Sequence, residues 1–272
     1  MTVYVITHKD FSYKYLPQEY KRLLVGANGK KNEHNYLTDN TGDNISQKNP
    51  SYCELTGLYW IWKNSLSPKV GLVHYRRYFV TTSAHQKKVL LNQLTGKRQV
   101  PLSEVKLTKL LRGNNWVVAA PQKLEPGQTV WSQFERSHHI KDLKLTRQII
   151  KDTCDDKYLK AFDKVMAQNY LSPYNMFYAK RETVNDYCNW LFDILFKLEK
   201  QVDISKYTPY QQRLYGFISE RLFNVYLEAT AKGKVRYAGV INTQQDSRHD
   251  AFAQVVDSTH VLLSYYKHKI LK

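Results

Sequence analysis

The densest run of reactive side chains is Leu72-Val73-His74-Tyr75-Arg76-Arg77-Tyr78-Phe79. An apolar, strand-like stretch ends there and releases a histidine, two adjacent arginines and two tyrosines. Arginine presents a rigid fork of donors that matches phosphate oxygens. In open α/β sheets, ligands bind beyond the carboxyl ends of the strands. Arg76 and Arg77 are therefore suited to neutralising a diphosphate. The alternative is structural, an arginine pair bound to the protein's own carboxylates with tyrosines packed around it. Thr7-His8-Lys9 closes the first strand-like run, a common nucleotide position in such sheets. The polar loop from Leu37 to Ser46 carries Asp39, Asn40, Asp43 and Asn44. Those side chains can read a base or a ribose hydroxyl, and they also cap turns.

Proton-transfer candidates lie further along. Ser137-His138-His139-Ile140-Lys141-Asp142 holds two adjacent histidines. Neighbours on a helix do not face one side, so at most one of them serves a given site. No His/Cys/Asp spacing elsewhere completes a closed metal set. Glu220 shares a helix face with Arg213 and Asn224. It is either a general base or one half of an ion pair. Asn175, in Pro173-Tyr174-Asn175-Met176-Phe177, enters an apolar strand. It is either a satisfied buried amide or a hydrogen-bond partner for a sugar hydroxyl. There is no Walker A loop, no GxGxxG and no HExxH. Nor is there a nucleophile elbow, or an Asp-x-Asp at the end of a middle strand.

The elements that must position these residues alternate. Strand-like runs cover Val3 to Thr7, Val70 to His74, Trp116 to Ala120, Met176 to Lys180 and Val235 to Ile241. Most lack polar alternation, the pattern of strands covered on both faces. Helical spacing marks Cys53 to Lys63, Leu143 to Ile150, Tyr158 to Ala167, Val184 to Lys200 and Tyr210 to Ala229. The alternation predicts an α/β layered domain with a mainly parallel central sheet flanked by helices. Residues 81 to 112 and 121 to 137 are polar and turn-rich, so they read as long excursions.

The chain has 272 residues, enough for one large domain with its own core. Lys plus Arg total 41 against 24 Asp plus Glu, a formal charge of +17. That surplus calls for an anionic partner: nucleic acid, an anionic membrane surface or a phosphate-bearing small molecule. Cys53, Cys154 and Cys188 form no CxxC pair, so neither a zinc site nor a disulfide framework is expected. No signal peptide is read at the start, and no run approaches a membrane span. A cytoplasmic protein is expected.

Taken together, these segments resemble a bacterial family of capsular and exopolysaccharide glycosyltransferases, long known only as a domain of unknown function. The resemblance rests on Thr7-His8-Lys9, Asp39 to Ser46, Lys48-Asn49-Pro50 and Tyr52-Cys53-Glu54-Leu55-Thr56. It continues through Tyr59 to Lys63, His74 to Phe79, His138-His139, Asn175-Met176-Phe177, Trp190-Leu191-Phe192 and Gly216 to Leu222. It spans about residues 2 to 242. It implies a GT-A-like, Rossmann-type nucleotide-sugar domain over 1–242. Residues 243–272 are left as a basic, aromatic extension suited to an anionic leaflet or a partner.

The implied reaction moves a hexose, galactofuranose or galactose, from a UDP-sugar to an undecaprenyl-diphosphate-linked glycan at the inner face of the membrane. Thr7, His8, Lys9, Asp39, Asn40, Asp43, Asn44, His74, Tyr75, Arg76 and Arg77 would serve the donor. His139, Asn175 and Met176 would serve the acceptor. Glu220, His138 or Asp142 would take the proton. The arginines stand where an Asp-x-Asp would be, so no cofactor and no divalent ion is expected. The competing classes are a nucleic-acid-binding protein and a non-catalytic membrane scaffold. Scattered lysines and the absence of a recognition module weigh against nucleic acid.

Overall fold

The structure is a computed structural model that describes residues 1–81 and 100–244. The strands are β1 (Thr2–Thr7), β2 (Tyr20–Leu24), β3 (Leu37–Thr38), β4 (Lys69–His74), β5 (Arg77–Val80), β6 (Trp116–Ala119), β7 (Gln122–Lys123), β8 (Tyr170–Leu171), β9 (Phe177–Lys180) and β10 (Val235–Asn242). The helices are α1 (Asn49–Tyr52), α2 (Leu55–Asn64), α3 (Glu104–Leu111), α4 (Val130–Ser137), α5 (Ile140–Thr153), α6 (Asp156–Ala167), α7 (Arg181–Glu199) and α8 (Leu214–Thr230).

Eight strands form one sheet in the order β3-β2-β1-β4-β5-β10-β6-β9, and β4 also pairs with β9. The ladders β3–β2, β2–β1, β1–β4 and β10–β6 are parallel. The ladders β4–β5, β5–β10, β4–β9 and β6–β9 are antiparallel. The sheet is therefore mixed rather than mainly parallel. An apolar run buried on both faces looks the same in either direction, so its sequence carries no sign of orientation.

β4 is where the sheet forks. Lys69 to Leu72 pair with β9, while His74 alone pairs with Arg77 of β5. The chain reverses through Tyr75 and Arg76, and β5 takes over from β9 as the partner at the end of β4.

Alternation along β1 divides the core between the two faces. Tyr4 and Ile6 pack with Leu72, Leu55, Leu58, Leu191 and Leu222 beneath the long helices. Val3 and Val5 pack with Val73, Leu107 and Leu111 beneath α3.

The two polar stretches are not loops throughout. Each holds a helix with a start signal. Ser103 caps α3 by accepting from Lys106 N. Thr129 and Ser132 close a reciprocal capping box on α4. Residues 82–99 lie outside the described residues, as does the extension beyond 244. Among the described residues, no helix is long and apolar enough to cross a membrane.

α2 sits very close to the sheet because Gly57 faces it. A Cβ there would lie 2.7 Å from Ile6 Cδ1 and 2.8 Å from Val25 Cγ1. Gly57→Val should therefore cost about 2 kcal/mol or more through overpacking. Urea denaturation measures this, and an unchanged midpoint would mean that the close approach is not real.

Candidate active site

The site begins with two adjacent strand ends. Ile6 of β1 is paired with His74 of β4, so Thr7-His8-Lys9 and His74-Tyr75-Arg76-Arg77 emerge side by side. His74 Nε2 lies 2.7 Å from Tyr174 O. A carbonyl can only accept, so Nε2 carries the hydrogen. Burial holds this imidazole down at about 4, with nearby Arg77 and Arg76 adding to the effect. His74 is therefore neutral at physiological pH.

The arginines are not consumed by carboxylates. No ion pair among the described residues involves Arg76, Arg77 or Arg213. Arg77 lies 4.2 Å over the Tyr174 ring, and its Nε is buried with no hydrogen-bond partner. Arg76 lies 5.6 Å from the Tyr75 ring centre and donates to Gln244 Oε1 at 3.3 Å. Lys9 approaches the same ring at 5.4 Å. Arg213 donates from Nε to Cys53 Sγ at 3.3 Å. Lys30 donates to Val25 O at 3.0 Å and His8 O at 3.4 Å. Burial lowers the His8 pKa, and Lys9, Lys30, Arg76 and Arg213 lower it further. Cations from four separate stretches of chain thus act on one place.

Behind them lie two carboxyl groups. Glu54, just ahead of α2, accepts from Asn175 Nδ2 at 2.8 Å. Glu220, on α8, accepts the Tyr174 N–H at 3.2 Å through Oε1. Burial raises the pKa of both. Arg221 opposes the rise at Glu220, and Glu54 adds to it.

The turn at Tyr174-Asn175 ties these groups together. Its carbonyl meets His74, its N–H meets Glu220 and its amide meets Glu54 and Ser219 Oγ. Both residues are left-handed, with φ of 78° and 52°. Non-glycine residues there cost about 1–3 kcal/mol each, a strain that gathers at functional sites. Gly216 lets α8 approach this region, since a Cβ there would lie 3.1 Å from Cys53 Sγ.

Other expected residues take different places. Thr7 is buried and turns its hydroxyl onto Lys9 O, shaping the strand end. Asp39 is fully buried and accepts from Gly26 N, Ala27 N and Ser46 Oγ, so it holds the loop after β2. Asp43 accepts from Tyr59 OH, and its carbonyl accepts from Asn64. Asn44 closes on Gly42 O and Ser46 N. This loop is thus pinned along the later turns of α2, whereas Glu54 stands at the start of that helix. Asn40 is exposed on the same loop.

Met176 is fully buried in the sheet core, which corrects its expected acceptor contact. Asp142 is buried with both oxygens on Tyr207 OH, and His139 packs on the Tyr207 ring. His138 stacks 4.0 Å from the Phe217 ring and bonds Gln211 Oε1 at 3.2 Å. The sequence reading gave no role to Glu54, Tyr174 or Lys30. Glu54 stands directly before α2, where an acid is common at any helix start.

Cations at the strand ends, with two protonatable carboxyls behind them, can grip an anionic group and accept a proton. Among the described residues no three His, Cys, Asp or Glu side chains are placed to share a metal ion. The chain belongs to the family described as domain of unknown function DUF4422, which matches residues 2–232. It is also similar to the solved apo structure of WbbM, a bifunctional glycosyltransferase, with a TM-score of 0.77 and 28% identity. The match covers 90% of this chain and 45% of that one, so the chain spans less than half of that protein. No curated protein matches this chain.

His138 gives the region an acid-sensitive stacking contact. Burial holds its pKa at about 4, below the ordinary 6.5, with Gln211 opposing and Arg221 adding. The unfolded chain binds a proton that the folded chain refuses. His138 therefore contributes stability above about pH 6.5 that is lost as pH falls toward 4. His138→Gln should lose less stability than the unsubstituted protein between pH 7 and pH 4.5, by urea denaturation. Equal losses would remove His138 as a titrating contributor.

Proposed function

We propose that this chain is a glycosyltransferase with a GT-A-like nucleotide-sugar site. It transfers a hexose, galactofuranose or galactose, from a UDP-sugar to a hydroxyl of an undecaprenyl-diphosphate-linked glycan. In this reading it works at the inner face of the cytoplasmic membrane in capsular or exopolysaccharide assembly. The observation that carries the reading is the set of cations at the ends of β1 and β4 that no carboxylate among the described residues neutralises. The likeness to a bifunctional glycosyltransferase supports the same class, with this chain matching one part of it.

In this mechanism the acceptor oxygen bonds to the anomeric carbon as that carbon's bond to the diphosphate oxygen breaks. The diphosphate leaves with the bonding electrons, and Arg76, Arg77, Arg213 and Lys9 offset its growing charge. Guanidinium groups supply what a divalent ion would otherwise supply, so turnover needs no metal. Glu220 takes the hydroxyl proton. Its half-buried carboxyl has a raised pKa, the direction that suits a general base. Asp142 is occupied by Tyr207, and His138 is enclosed by aromatic rings, so neither competes well for that role.

UDP should raise Tm, since a ligand bound to the folded state stabilises it. A panel of UDP-sugars scored for hydrolysis and transfer then tests the activity. Arg77→Ala should cut kcat roughly 100-fold or more, as loss of one preorganised donor does. Glu220→Gln should cut kcat by about 10²–10⁴ while UDP affinity stays nearly intact. Turnover should persist undiminished in EDTA. Mn-rescuable loss would overturn metal independence, and a flat Tm with every nucleotide sugar would overturn the reading itself.

A further inference from the structure

The segment before α8 carries an aromatic surface that the donor chemistry leaves unused. Tyr210 is 55% exposed. Its neighbours are pinned. Tyr207 OH donates to Asp142, and Gln211 Nε2 donates to Ser137 O at 2.8 Å. The Tyr210 ring lies 5.1 Å from the Phe217 ring, which in turn stacks on His138. The result is a fixed aromatic shelf rather than a free side chain. Polar groups edge it: Gln211, His138 and Arg213, whose guanidinium lies 5.5 Å from the Phe217 ring centre. Phe217 and Glu220 are three residues apart on α8, so they are neighbours on one helix face.

A pyranose or furanose ring has one face of C–H bonds and an edge of hydroxyls. The C–H face suits the negative face of an aromatic ring, and the edge suits the neighbouring amide and guanidinium donors. We propose that Tyr210 and Phe217 form the acceptor subsite, on which the receiving sugar stacks with one hydroxyl directed to Glu220. An acyl chain would have no use for the polar rim. This proposal rests on the transferase reading for its use of Glu220, but not for the sugar contact itself.

The test uses the full chain with methyl β-galactopyranoside, methyl α-glucopyranoside and methyl α-mannopyranoside as probes, in saturation-transfer NMR with UDP present. The unsubstituted protein should enhance at least one glycoside, with the strongest signals on the C–H protons of a single ring face. Tyr210→Ala should weaken that glycoside's affinity roughly two- to tenfold, the worth of one ring stack. Tyr210→Phe, which keeps the ring, should restore it. Tyr210 is exposed, so its replacement leaves the core intact. Enhancement of no glycoside, or equal affinity in Tyr210→Ala, would overturn the subsite. The UDP-induced rise in Tm of the unsubstituted protein separates the two readings. Glycoside contact without that rise would sink the nucleotide assignment and leave the shelf standing. The rise without glycoside contact would sink the shelf alone.

Discussion

Positive charge at the ends of β1 and β4, paired with no carboxylate among the described residues, is the constraint around which the rest of the site is arranged. A protein with 41 Lys and Arg against 24 Asp and Glu has acids to spare for pairing only in some places. It uses them elsewhere, as in Lys48–Glu199 and Arg147–Asp163. At the strand ends, aromatic faces hold the cations instead. Tyr174 lies under Arg77, and Tyr75 lies near both Arg76 and Lys9. A cation over a ring gains about 0.5–1 kcal/mol without losing its charge to a counter-ion. The guanidinium groups are thereby oriented yet still able to take an anion. An ion pair would have fixed them equally well and left nothing for a ligand.

The same constraint explains why the acids sit where they do. Glu54 acts on Arg77 and Arg213 from behind without forming an ion pair with either, and Glu220 pairs instead with Arg221 at 3.5 Å. Keeping that separation requires that α2, β4 and α8 be set relative to one another. They are remote in sequence, and the Tyr174-Asn175 turn joins all three through carbonyl, N–H and amide. A left-handed pair of non-glycine residues is a costly way to build a turn. Here it aims three different polar groups of two residues at three elements. The fork in β4 provides the room, because β9 stops pairing at Leu72 and frees the preceding turn to meet His74.

The sequence spoke clearly where chemistry and periodicity coincided. The ends of β1 and β4, with Thr7-His8-Lys9 and His74 to Arg77, were legible because an apolar run breaks abruptly into polar residues. Strand direction was not, since buried runs lack the alternation that reports a solvated face. β2 escaped notice because Lys21 and Arg22 interrupt Tyr20–Leu24. α3 and α4 were hidden by polar faces, although Ser103 and the Thr129–Ser132 box mark their starts. Glu54 and Tyr174 could not be found by spacing at all. Their relation to Arg77 and Glu220 exists only after the turn has formed. Asp39 shows the converse: a loop acid that looked available is spent on Gly26, Ala27 and Ser46.

The titration of the site follows from this layout. His8 and His74 both stand among lysines and arginines, and both have pKa values driven down by burial and by those neighbours. Neither adds charge at neutral pH. The positive field therefore comes from guanidinium and ammonium groups rather than from imidazoles. Burial pushes the two carboxyls behind the turn, Glu54 and Glu220, the other way, above the usual carboxylate range. Affinity for an anion and readiness to accept a proton are thus assigned to different residues.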